Sequence, residues 1–160
     1  MISAFIDAPL AFVFLIYLFG LAWYDWKKKL LPLEPMMVAT VIGFLAQALD
    51  GDAVSSAIGA LVGAGFIWIQ VALSKGKWMG RGDIWLAASI GAFLGWPLVA
   101  VMLYLTYLVG GFIAIAMFAT GLYKRGMRVP FAPFLALGTV GAMLWGNEIA
   151  EWFGRGLGLI

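Results

Sequence analysis

Long apolar runs, interrupted at short intervals by charge, Gly and Pro, dominate this chain. The runs cover roughly residues 8–25, 34–49, 53–74, 82–95, 97–122 and 131–153. Between them stand WKKKLLP, DGD, SKGKWMGRG, GWP and YKRGMRVP, and a glycine-rich stretch ends the chain. Gly and Pro mark most of these breaks, as expected where a helix must stop. An apolar helix of about 17–25 residues can cross a hydrocarbon core of about 30 Å. The pattern therefore predicts an all-α polytopic membrane protein: six transmembrane helices in one domain, 1–160. The first run is expected to be retained rather than cleaved as a signal peptide. Its flank, MISAFIDAP, carries no positive charge, which falls after the run instead.

Composition agrees. The 160 residues are 64% hydrophobic and 11% charged, with a mean hydropathy of +1.02. A water-soluble domain of this size has no use for so much apolar surface. The absences are equally informative, because the chain has no Cys and no His. That excludes Cys/His zinc sites, a cysteine nucleophile and a Ser–His pair. No metal or cofactor is expected, and nothing in the chain points to nucleic acid. Chemistry, if present, falls to Asp, Glu, Lys, Arg, Tyr or Ser.

Charge gives an orientation. In a six-span arrangement Lys27, Lys28, Lys29, Lys75, Lys77, Arg81, Lys124, Arg125 and Arg128 share one side, and only Arg155 falls on the other. The positive-inside rule makes the basic side cytoplasmic and both termini external. Asp7, Asp50, Asp52, Glu148 and Glu151 then lie outside, and the cytoplasmic side keeps Asp25, Glu34 and Asp83. Trp23, Trp26, Trp78, Trp96, Trp145 and Trp152 read as interface anchors. Gly43, Gly59, Gly63, Gly65, Gly110 and Gly111 read as helix-packing positions.

Asp25 stands in LAWYDWKKK, near the C-terminal end of its helix, where the helix dipole favours cations. Compensation by Lys27 to Lys29 is one account of it. A functional role is the other, because an ionisable group near membrane depth is costly to keep. Asp83 follows Gly80 and Gly82 in GRGDIWLAAS. It reads either as an N-cap or as a reactive group that the glycines leave open to close approach by a substrate or a neighbouring helix. Two carboxylates on one side, with no His to serve either, form a candidate acid–base pair. One ionised carboxylate can take a proton from water while its protonated neighbour donates to a carbonyl oxygen.

These residues resemble motifs of the bacterial type IV prepilin peptidases, membrane aspartyl proteases of the GxGD class. Gly80-Arg81-Gly82-Asp83 is similar to the family's GxGD, and IWLAASIGAFLGW to the run that follows it. Asp25 stands before a basic segment and Leu31-Pro32, as the family's first aspartate does. Val129-Pro130-Phe131-Ala132-Pro133-Phe134-Leu135-Ala136 resembles its proline-rich segment. Leu33 stands where many members have Asp, and Ala132 where many have Gly.

The resemblance implies Asp25 and Asp83 as catalytic residues and Gly80 and Gly82 as the active-site loop. It implies a prepilin-like substrate with a hydrophobic N-terminal helix, cut after a Gly at the cytoplasmic face of a bacterial cytoplasmic membrane. The larger family members carry a cysteine-rich zinc region linked to N-methylation of the product. With no cysteine in this chain, peptidase activity alone is expected. The alternatives are a catalytically inactive subunit of pilus or secretion assembly, and a small proton-coupled transporter.

Overall fold

The computed structural model describes residues 8–28, 31–77, 79–122 and 130–156. Lys29, Trp78, Lys124, Arg125, Arg128 and Val129 lie outside them. Among the described residues six helices follow one another: α1 Ala8–Lys28, α2 Leu33–Leu49, α3 Ala53–Ser74, α4 Arg81–Leu94, α5 Leu98–Ala119 and α6 Ala132–Gly156. Among the described residues there is no strand. The hydropathy pattern and the helices agree closely, with two informative shifts. α1 continues through Asp25 to Lys28, so the aspartate stands inside a helical turn. α5 stops short of its apolar run because Thr120 closes its last turn on Ala116 O and Gly121 turns away at φ 69°.

Pro9–Lys28, Ala53–Ser74 and Leu98–Ala119 are long and apolar enough to cross a membrane, and α2 is a shorter apolar helix. Side chains are distributed accordingly. Phe12, Trp23, Leu61, Phe112, Ile115 and Phe118 are exposed, while Ser56, Ser89, Thr106 and Thr139 are fully buried. An outer surface of this kind suits lipid, with polar groups turned inward to bond one another or the backbone.

α4 is the buried centre. At 14 residues it is the shortest helix, roughly 21 Å long at 1.5 Å per residue. Its neighbours cover it almost throughout, from Leu86 to Leu94. Small residues make this possible. Gly59 and Gly63 of α3 lie against the backbone oxygens of Gly91 and Ala87, and Gly43 of α2 lies against the backbone of Ala92 and Phe93. A side chain at any of the three would strike main chain rather than a movable group. Gly138 of α6 meets Met102 and Thr106 of α5 in the same way, whereas Gly65 and Gly111 face open space. α1 joins through Phe14, whose ring stacks on Phe93 at 3.9 Å between centroids, and it packs along α6.

A buried helix end leaves carbonyls without intrahelical partners. At the C-terminal end of α4 two side chains supply them: Ser56 Oγ donates to Ala92 O at 2.7 Å, and Gln47 Nε2 donates to Phe93 O at 2.8 Å. Gly95 N–H closes on Gly91 O, and Gly95 leaves the helix at φ 69°. The other end of α4 is reached from α3 through Lys75 and Gly76, both with positive φ. The last turn of α3 therefore reverses the chain directly into the segment that carries Asp83.

Gly59→Leu and Gly63→Leu should destabilise the protein by about 1–3 kcal/mol or more through overpacking. Gly65→Leu and Gly111→Leu should leave thermal unfolding in detergent close to the parent. Equal losses at all four positions would contradict the packing described.

Candidate active site

Asp83 is the third residue of α4, not its cap. The helix begins at Arg81 after Gly80, and the Asp83 side chain turns back so that Oδ2 accepts the Gly80 N–H at 2.9 Å. This is one half of a capping box, with Asp in the place usually held by Glu. It satisfies one of the free amides at the helix start and fixes the carboxyl's orientation. The other oxygen, Oδ1, is buried and has no partner within the described residues. Asp83 as a whole is 6% exposed.

The two glycines of the motif differ in what they do. A Cβ on Gly82 would come to 2.7 Å from the Cβ of Leu31. The Leu31-Pro32 pair therefore closes directly on the turn that carries Asp83, and only glycine leaves room for it. A Cβ on Gly80 would meet nothing closer than Asp83 Oδ2 at 3.5 Å, an ordinary contact. Gly80 contributes its N–H, and Gly82 contributes the absence of a side chain.

Asp25 is 7% exposed. It opposes the dipole of its own helix, yet the backbone amide of Ala132, the first residue of α6, is close enough to act on its carboxyl. The amino end of α6 thus supplies the positive potential that the carboxyl end of α1 denies. Pro133 suits that first turn, where no intrahelical bond is lost by its missing N–H. Lys27 does not take this role. Lys27 Nζ lies over the Trp23 ring at 4.8 Å, and the ion pair among the described residues is Arg155–Glu151.

The two aspartates, on separate helices, are near enough for the charge of Asp25 to act on Asp83. The Gly80 N–H holds the Asp83 carboxyl, the Ala132 amide acts on that of Asp25, and the ion pair among the described residues, Arg155–Glu151, involves neither. A carboxyl pair of this kind can hold and relay a proton. Three further residues, not singled out by sequence, form a chain of contacts leading to the Gly80 turn. Tyr107 Oη donates to Gln70 Oε1 at 2.7 Å and lies 3.9 Å from the sulfur of Met79. A glutamine within the apolar run GFIWIQVALS was the one available signal.

Comparison with known proteins gives a consistent result. The type IV leader peptidase family matches over residues 12–115, a span containing both aspartates and the Leu-Pro pair. A prepilin leader peptidase/N-methyltransferase of Aeromonas hydrophila is 34% identical over 142 residues, 85% of this chain and 49% of that protein. Its namesake in Xanthomonas campestris pv. campestris is 32% identical over 157 residues, 93% of this chain and 54% of that protein. The Legionella pneumophila protein of the same name is 30% identical over 142 residues. This chain spans about half the length of the curated relatives it matches. No solved structure matches it.

Gly82→Ala should displace Leu31 and cost about 1–3 kcal/mol, read as a lower melting temperature, while Gly80→Ala should be nearly neutral in the same assay. Adding Leu31→Gly should restore part of the loss. A fully tolerated Gly82→Ala would break the link drawn between the two motifs.

Proposed function

The chain belongs to the type IV leader peptidase family, and on that premise we propose that residues 1–160 form one transmembrane aspartyl endopeptidase domain. It crosses a bacterial cytoplasmic membrane six times with both termini outside. Its substrate is a prepilin-like protein with a short leader and a hydrophobic helix, cut after a Gly at the cytoplasmic face. The observation that carries this reading is the burial of both Asp25 and Asp83, with Asp83 Oδ1 unpartnered among the described residues.

The chemistry follows from two carboxyl groups sharing one proton. The ionised member takes a proton from water as the water oxygen bonds to the scissile carbonyl carbon. The protonated member gives its proton to the carbonyl oxygen. The resulting gem-diol then breaks its C–N bond as the nitrogen is protonated, leaving a leader carboxylic acid and a free amine on the mature chain. No bound group beyond water is required. The backbone amide of Gly80 holds the Asp83 carboxyl in place throughout, so it does not have to reorganise when charge moves between the two acids.

Substrate geometry fits the same site. A bond at the junction of leader and membrane helix must leave helical conformation before it can be attacked, and Gly there lowers the cost by roughly 1 kcal/mol relative to Ala. Methyl transfer, the second activity in the relatives' names, is not part of this proposal.

Purified protein in nanodiscs should cut prepilin-type substrates after the leader Gly, located by mass spectrometry. Asp25→Asn and Asp83→Asn should each reduce the rate by at least about 100-fold. The activity should rise and fall with pH as one pair, giving two apparent constants that belong to neither residue alone. Cleavage surviving both substitutions would place the chemistry elsewhere. A folded protein that cuts nothing in the panel would favour the assembly-subunit reading.

A further inference from the structure

Tyr107 stands where the two supports of the carboxyl pair come together. Its hydroxyl approaches Met79 at 3.9 Å, the residue before Gly80, whose N–H holds Asp83. Its ring lies against Phe131, with centroids 5.7 Å apart, and Phe131 precedes Ala132, whose amide acts on Asp25. Phe131 O also accepts the first helical bonds of α6, from Phe134 and Leu135. One side chain thus touches both short segments that deliver amides to the aspartates.

Tyr107 is itself fixed from α3. Its hydroxyl donates to Gln70 Oε1 at 2.7 Å, and Phe66 meets its ring edge-on at 5.5 Å. Gln70 in turn donates to Phe66 O in its own helix. A tyrosine and a glutamine are costly among apolar helices unless each finds a partner. Here they partner each other, and the Tyr107 hydroxyl lies 3.9 Å from the sulfur of Met79, next to the Gly80 turn.

We infer that Tyr107, locked by Gln70, is a positioning residue that holds the Gly80 turn and the first turn of α6 in register, so that Asp25 and Asp83 are aligned for reaction. This inference rests on the peptidase reading above and extends it to residues outside the dyad. Two components separate by substitution. Tyr107→Phe keeps the ring and removes the bond to Gln70. Tyr107→Leu removes the ring contact with Phe131 as well.

The test is steady-state cleavage per folded molecule, with thermal unfolding of each variant measured alongside. Tyr107→Phe should lower kcat about tenfold, the scale of one lost hydrogen bond, with KM within about twofold. Tyr107→Leu should lower kcat further, by about 100-fold or more. Gln70→Leu should match Tyr107→Phe, and the double variant should be no worse than either, because both remove one bond. Unchanged kcat in Tyr107→Phe and Tyr107→Leu, or a change confined to KM, would overturn the inference while leaving the peptidase reading intact.

A readout without catalysis completes it. The chain has no native cysteine, so Asp25→Cys and Asp83→Cys each introduce a single thiol at a buried position. Maleimide labelling of either should quicken several-fold when Tyr107→Leu is added. If labelling quickens but the parent protein cuts no substrate, the positioning role holds and the peptidase reading fails. Unchanged labelling at both positions would count against the positioning role.

Discussion

Close approach of α3 to α4 is the constraint on which the rest of the structure depends. Lipid tails are as apolar as the helices, so association inside a bilayer comes from packing and hydrogen bonds rather than from expulsion of water. Gly59 and Gly63 let α3 reach the backbone of α4 at Gly91 and Ala87. Only at that distance can Ser56 reach the carbonyl of Ala92. From α2, Gly43 allows the same approach, and Gln47 reaches Phe93 O. A short helix is thereby held by its main chain at one end, and its other end is left to carry Asp83.

The electrostatic arrangement follows from that placement. A buried carboxylate needs partners, and a cation is the usual one. Among the described residues Asp83 is bonded by the backbone amide of Gly80, and the amide of Ala132 acts on Asp25. An amide stabilises a carboxylate without fixing its charge as an ion pair would. That distinction matters for chemistry in which a proton must move between two acids. Lys27, two residues after Asp25, lies over the Trp23 ring instead.

Much of this was legible in the sequence, for identifiable reasons. Helix positions followed from hydropathy because each apolar run ends at charge, Gly or Pro. Asp25 and Asp83 stood out because carboxylates are expensive near membrane depth. Three things were not legible. The dipole conflict at Asp25 is resolved by α6, more than a hundred positions later in the chain, and no local pattern encodes that. Gly80 and Gly82 look equivalent as letters, yet one donates an amide and the other makes room for Leu31. Likewise, Gly65 and Gly111 resemble Gly59 and Gly63 but meet no neighbour. Which face of a helix is covered is a property of packing, and a run that is apolar all round does not reveal it.

The central claim is that the end of α1 and the start of α4 bring Asp25 and Asp83 into one site. Because the chain has no cysteine, Asp25→Cys/Asp83→Cys tests it directly in native membranes. Oxidation or a short bis-thiol reagent should link the two thiols within one molecule, read by intact mass. Phe14→Cys/Phe93→Cys, at the stacked ring pair, serves as the reference for true contact. Linkage of both pairs is the predicted result. If the reference pair links and the 25/83 pair does not, under either reagent, the two carboxyls do not share a site and the account is wrong at its centre.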